Sequence, residues 1–136
     1  MISKELITAY INSQFVVPSL GITILINQHN KELLDLISGK GKSSFCFITA
    51  FNPYSNKLES EENTRRNQEL KETIAEYVIY DGYGQDKESL WEAELSFLVL
   101  GITKEQSIKL GKEFGQNAIV FGQIESSQLI PQLELL

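Results

Sequence analysis

The chain has one cysteine, one histidine, three prolines and no long apolar run among its 136 residues, and each scarcity closes off a class of protein. A lone cysteine allows no disulfide framework within the chain, which fits a reducing compartment. Cys46 lies in the run Ser44-Phe45-Cys46-Phe47-Ile48, where a thiol reads as a small buried hydrophobe. His29 has no cysteine or carboxylate at ligand spacing and reads as a surface residue at the start of a helix, so no metal site is expected. Without a second histidine, Cys/His and Ser/His nucleophilic arrangements lack a partner. No apolar segment approaches the roughly 18 residues of a membrane span. Met1-Ile2-Ser3-Lys4-Glu5 opens an amphipathic helix rather than a signal peptide, so a cytoplasmic protein with no membrane partner is expected.

Positive charge is also short. The net charge of −6 argues against a general binder of nucleic-acid backbones. Arg65-Arg66 and the Lys40/Lys42 pair are too short for a nucleic-acid tract and read as solvated surface. Phosphate and dinucleotide fingerprints fail as well. Gly41-Lys42-Ser43 ends like a phosphate loop, but Leu36 stands where the first glycine belongs and the segment precedes a strand. Gly82-Tyr83-Gly84 has Lys87 in place of the third glycine. No cofactor is expected.

What is present is the pattern of one α/β domain with an α+β leaning, over residues 1–136. Periodicity and turn residues predict the order α-β-β-α-β-α-β-β-α-β. The first helix covers Ser3 to Ile11, followed by strands at Phe15–Val17 and Ile22–Ile26. Asn30 opens a second helix, and Phe45–Phe51 has the continuous apolar character of an interior strand. Ser60 caps a third helix that runs to about Glu76, and Tyr77–Tyr80 is a strand broken by Asp81-Gly82-Tyr83-Gly84. Glu94–Leu100 is a strand, Thr103-Lys104-Glu105-Gln106 a capping box, and Ala118–Phe121 the last strand. Residues 124–136 form an apolar tail that packs on the body or on a partner subunit. Crossover helices after two of the strands predict a mixed parallel and antiparallel sheet flanked by helices.

That connectivity brings Asn52 to Ser55, the Asp81–Gly84 turn, Trp91 to Glu94 and Gly115 to Asn117 to one sheet edge. In the third helix Leu70 and Ile74 mark the buried stripe, and stepping back along it reaches Asn67 and Asn63. Those amides either pin the Asn52–Ser60 loop or meet a ligand. Glu92 and Glu94 share a strand face, as a paired acid/base site would require, or are exposed acids at the start of a strand. Arg65 or Arg66 could hold an anion, or pair with Glu61, Glu62 or Glu69.

Four segments resemble the bacterial domain-of-unknown-function family numbered 3293. They are Ile48-Thr49-Ala50-Phe51-Asn52-Pro53-Tyr54-Ser55; Asn63 with Arg66, Asn67 and Leu70; Trp91 through Gly101; and Phe114-Gly115-Gln116-Asn117-Ala118-Ile119-Val120. The resemblance implies no particular activity, but its motifs fall mainly at the edge reached by connectivity. The leading expectation is a pocket there for a small polar or anionic ligand, lined by Asn52, Tyr54, Ser55, Asn63, Arg66, Asn67, Trp91, Glu92 and Gln116. The alternatives are a self-associating interaction module without catalysis, and an acid/base enzyme using Glu92 or Glu94.

Overall fold

The structure, a computed structural model, describes residues 2–86 and 92–136. Helix α1 (Lys4–Ile11) starts where the Ser3 side chain accepts the Leu6 amide. Strands β1 (Ser13–Val17) and β2 (Ile22–Leu25) form a hairpin through a one-turn 3-10 segment. Helix α2 (Lys31–Gly39) is capped by Asn30, whose side chain accepts the Leu33 amide. Then come β3 (Ser44–Ile48), α3 (Ser60–Thr73), β4 (Val78–Asp86) and β5 (Glu94–Leu100). Helix α4 (Lys104–Glu113) opens with the expected capping box between Thr103 and Gln106. Strand β6 (Ala118–Glu125) follows, and β7 (Gln128–Leu129) and β8 (Gln132–Leu135) pair back onto it.

The expected mixed sheet is not what forms. The sheet has eight strands in the order β2-β1-β4-β5-β3-β6-β7, with β8 also on β6, and every strand pair is antiparallel. The physical reason lies in β5. Strands β3 and β4, joined by the crossover α3, do run in the same direction, but β5 inserts between them and pairs antiparallel with both. In the same way β3 inserts between β5 and β6. Two crossover units interleave, as in the βαββαβ split arrangement, so co-directional strands are never neighbours.

Helices α3 and α4 cover one face, packing Leu70, Ile74, Leu110 and Phe114 against Cys46, Ile48, Phe97, Val99, Ile119 and Phe121. The other face is concave. There Phe15, Val17, Phe45, Phe47, Leu98, Leu100 and Val120 face inward, and α2 supplies Leu33 and Ile37 to fill one end. That end is tied shut: Asn27 and Asn30 donate backbone bonds to the carbonyls of Pro131 and Leu129 (2.8 and 2.9 Å), and the Leu129 amide donates to His29 Nδ1 (2.9 Å).

The Asp81–Gly84 segment, expected to break a strand, lies inside the nine-residue β4. Its glycines make room on the concave face. A Cβ at Gly82 would stand 2.6 Å from the Val16 carbonyl oxygen and 2.9 Å from the Phe47 ring, and one at Gly84 would stand 3.3 Å from the Phe15 ring. The two rings meet edge to face with centroids 5.4 Å apart. Glycine beneath an aromatic ring allows the sheet to curl.

Residues 128–135, part of the expected tail, are hydrogen-bonded to β6. Leu129 is fully buried, whereas Ile130 and Leu135 are exposed. No helix among the described residues is long and apolar enough to cross a membrane.

Candidate functional site

At the end of the concave face away from α2, the strands splay around a cavity of about 560 Å³. Ser13 and Phe15 of β1, Gly84 and Asp86 of β4, Glu94 and Ser96 of β5, and Ala118 and Val120 of β6 line it. Helix α1 contributes Leu6 and Tyr10, and the segment after β3 contributes Thr49, Phe51, Asn52 and Ser55. The walls are largely aromatic and aliphatic, with a few polar groups converging at one side, as small-molecule sites generally are. A smaller hollow adjoins it across Asn52 and Glu94, bounded by Leu58, Ser60 and Asn63.

One loop sets the polar side. Asn52, Tyr54 and Ser55 all have positive φ (45°, 54° and 63°), a conformation that costs non-glycine residues energy and persists only when the surroundings hold it. Here the holding groups are explicit. Asn63 Oδ1 accepts the Asn52 amide at 2.9 Å while its Nδ2 donates to Asn52 Oδ1 at 2.8 Å. Asn52 Oδ1 also accepts the Leu58 amide (2.9 Å), and the Tyr54 amide donates to the Gly115 carbonyl (2.7 Å). Asn67 Oδ1 accepts the Ala50 amide and its Nδ2 donates to the Leu95 carbonyl, both at 2.8 Å. Arg66 Nε donates to the Ala50 carbonyl at 2.8 Å, and the guanidinium also reaches the Phe114 carbonyl. Gln116 Nε2 donates to the carbonyls of Phe51 (3.1 Å) and Phe114 (3.3 Å).

The expected site residues therefore separate into groups. Asn52, Ser55, Glu92 and Gln116 line the cavity, as does Glu94. Asn63, Arg66 and Asn67 stand behind the loop, bonded to its backbone and to the ends of neighbouring strands. Tyr54 projects outward, 62% exposed, with its ring against Gly115. Trp91 lies outside the described residues. Arg65 pairs with Glu62 and Glu69 on the surface of α3.

Glu94 is the chemically distinctive group. Its Oε1 accepts from Asn52 Nδ2 at 3.2 Å, and no described cation forms an ion pair with it. Burial pushes its carboxyl above the ordinary range, with the Asn52 hydrogen bond acting in the opposite direction. Burial likewise raises the Tyr10 hydroxyl, whose 3.5 Å contact with Ser55 Oγ works against that, while the charge of Glu94 adds to the rise. Asn117 Nδ2 donates to the same Ser55 oxygen at 2.9 Å. Cys46 is remote from this chemistry: it is buried on the helical side, and burial pushes its thiol up to about 12. Among the described residues no cluster of three or more histidine, cysteine or acidic side chains is placed to hold a metal.

Reasoning from the sequence did not reach Tyr10, Phe15, Phe47 or Ser96, and it brought Gly84 to this edge as part of a turn rather than of a strand. A period-two signal was available for some of them. Glu94, Ser96, Leu98 and Leu100 alternate onto one face of β5, and Gly82 and Gly84 share a face of β4. Tyr10 and Phe15 arrive by tertiary packing alone.

A concave, antiparallel sheet with helices on its other face and a polar-sided cavity at its open end defines an α+β protein. The chain belongs to the family described as "Protein of unknown function (DUF3293)", whose model matches residues 48–119. That span runs from the last residue of β3 to the second of β6, so it contains both crossover helices, α3 and α4, the strands β4 and β5 between them, and the Asn52 loop. No curated protein and no solved structure matches the chain.

Proposed function

We propose that the protein binds a small, partly apolar molecule in the cavity at the open end of the curled sheet. The observation that carries this reading is the cavity itself: about 560 Å³ on a face otherwise filled by packed side chains, with Glu94 and Ser96 at its polar side. Such a volume is within the usual range for small-molecule sites. The loop that forms one rim is conformationally costly and fastened from behind by three side chains, which supports a role in positioning Asn52 against Glu94. A polar or anionic ligand is the expectation from sequence. The lining favours the polar half of it, since Glu94 and Glu92 are both acids of the described lining, whose one described lysine, Lys57, is exposed.

The test is a thermal-denaturation screen of small alcohols, amides, amines and acids carrying an apolar ring or chain, run on the wild type and on Ala118→Phe. Ala118 lines the cavity from β6, so the larger side chain fills the space. A ligand present at ten times its dissociation constant should stabilise the wild type by about 1.4 kcal/mol. In a domain of this size that is a rise of roughly 3–6 °C. The same ligand should leave folded Ala118→Phe unmoved. A panel that protects both proteins equally, or neither, refutes the pocket.

A further inference from the structure

We infer that the ligand is an organic cation, an amine carried on an apolar body, whose ammonium meets Glu94 while the body lies among the rings of Phe15, Phe47 and Tyr10. This rests on the pocket reading above and adds the chemical class of the occupant.

The argument begins with hydrogen-bonding capacity. An ionised carboxylate offers about four acceptor positions. Glu94 receives one donor, Asn52 Nδ2, and is joined by no ion pair from the described residues. A carboxylate withdrawn from water is costly unless a donor or counter-charge compensates it. Among the described residues, the chargeable groups that share the cavity do not supply one. Asp86 ends β4 and Glu92 precedes β5, both of the same sign as Glu94. Tyr10 brings a neutral hydroxyl from α1, and Lys57 is an exposed residue of the loop before α3. The chain's guanidinium nearest this loop, that of Arg66, is committed to the Ala50 and Phe114 carbonyls.

The remaining wall is aliphatic and aromatic, with the rings of Tyr10, Phe15, Phe47 and Phe51 in it, and the faces of aromatic rings attract a cation through their quadrupole. An anion would meet like charge at Glu94, and a neutral molecule would leave that charge uncompensated. An ammonium satisfies both surfaces at once. Because burial favours the protonated form of Glu94, protons compete with the amine for the carboxylate. Affinity therefore falls as pH drops through the carboxyl's raised value.

The deciding experiment is an NMR titration of the full chain with three probes of one shape: benzylamine, benzyl alcohol and benzoate. Benzylamine should shift the Gly84 and Glu94 amide signals and bind at least about tenfold more tightly than the alcohol, a difference of about 1.4 kcal/mol. Benzoate should be the weakest of the three. In Glu94→Gln, which keeps the side chain's shape, the preference for the amine should vanish while the alcohol's affinity is retained. In the wild type, benzylamine affinity should weaken as pH is lowered from about 7 towards about 4.3, the ordinary glutamate value. If alcohol and amine bind equally at those signals, or amine affinity rises as pH falls, the cation assignment is overturned and the pocket stands. If none of the three moves those signals, both readings fall.

Discussion

Two sets of polar side chains lie back to back at the open end of the sheet, and their hydrogen-bonding states differ. Behind the loop, Asn67, Asn63 and Arg66 are bonded to the carbonyls, amides and side chain they were folded around. In front of it, Glu94 accepts one bond from Asn52 and faces a cavity. Asn63 and Asn67 are buried and Glu94 is half-buried, yet among the described residues only the first set has its bonding positions filled by the chain. Buried amides that reach backbone groups fasten a structure. A half-buried carboxylate with unfilled acceptor positions has capacity left for another molecule. The contrast explains why sequence position alone does not separate the two, since Asn52 bonds to both sets.

The comparison breaks most visibly on the helical side. In Asn67→Ala the Ala50 amide loses the Asn67 oxygen and the Leu95 carbonyl loses one of its two side-chain donors, keeping the Thr49 hydroxyl. The expected cost is about 3 kcal/mol, seen as a lower urea midpoint with an unchanged slope. A loss under about 1 kcal/mol would mean that water replaces the amide and that the fastening role is minor.

Glu94→Gln should behave in the opposite way, losing the amine without losing stability. The folded chain holds the Glu94 proton more tightly than the unfolded chain does. The stability this contributes is complete below the ordinary carboxylate range, near about 4.3, and is lost as pH rises through the folded value. Subtracting the variant's stability–pH curve from that of the wild type should therefore give a difference that declines with rising pH. At neutral pH the variant's unfolding midpoint should equal or exceed that of the wild type. A clearly lower midpoint would place Glu94 among the fasteners.

The smallest effect is expected at Tyr54, where φ is 54° and the side chain is largely exposed. Tyr54→Gly relieves the backbone at the expense of the ring's contact with Gly115. Stability should rise by up to about 1 kcal/mol in thermal denaturation. A decrease would show that the ring on Gly115 contributes more than the strained backbone costs.

Much of the local structure was readable from residue order. Asn30 and Thr103 act as caps, β3 is apolar on both faces, and Asn63, Asn67 and Leu70 share the buried side of α3. The misreadings also have local causes. Ser60 begins α3, but Glu59 occupies the cap position and makes no side-chain capping bond. Gly82 and Gly84 look like a turn because glycine punctuates turns, whereas here they make room for Phe47 and Phe15 from other strands. Nothing near either glycine in the chain announces those rings.

The sequence by itself determined the kind and position of the main elements and the gathering of the Asn52 loop, the start of β5 and Gln116 in one region, because periodicity and connection length are local properties. It also determined that the familiar cysteine and histidine machinery is incomplete. Tertiary structure alone decided which strands are neighbours, since two crossovers can pair side by side or interleave with the same helices between them. It decided the cavity as well. Tyr10 comes from α1, Phe15 from β1 and Glu94 from β5, and only the curl of the sheet leaves that carboxylate facing a space the described residues do not fill.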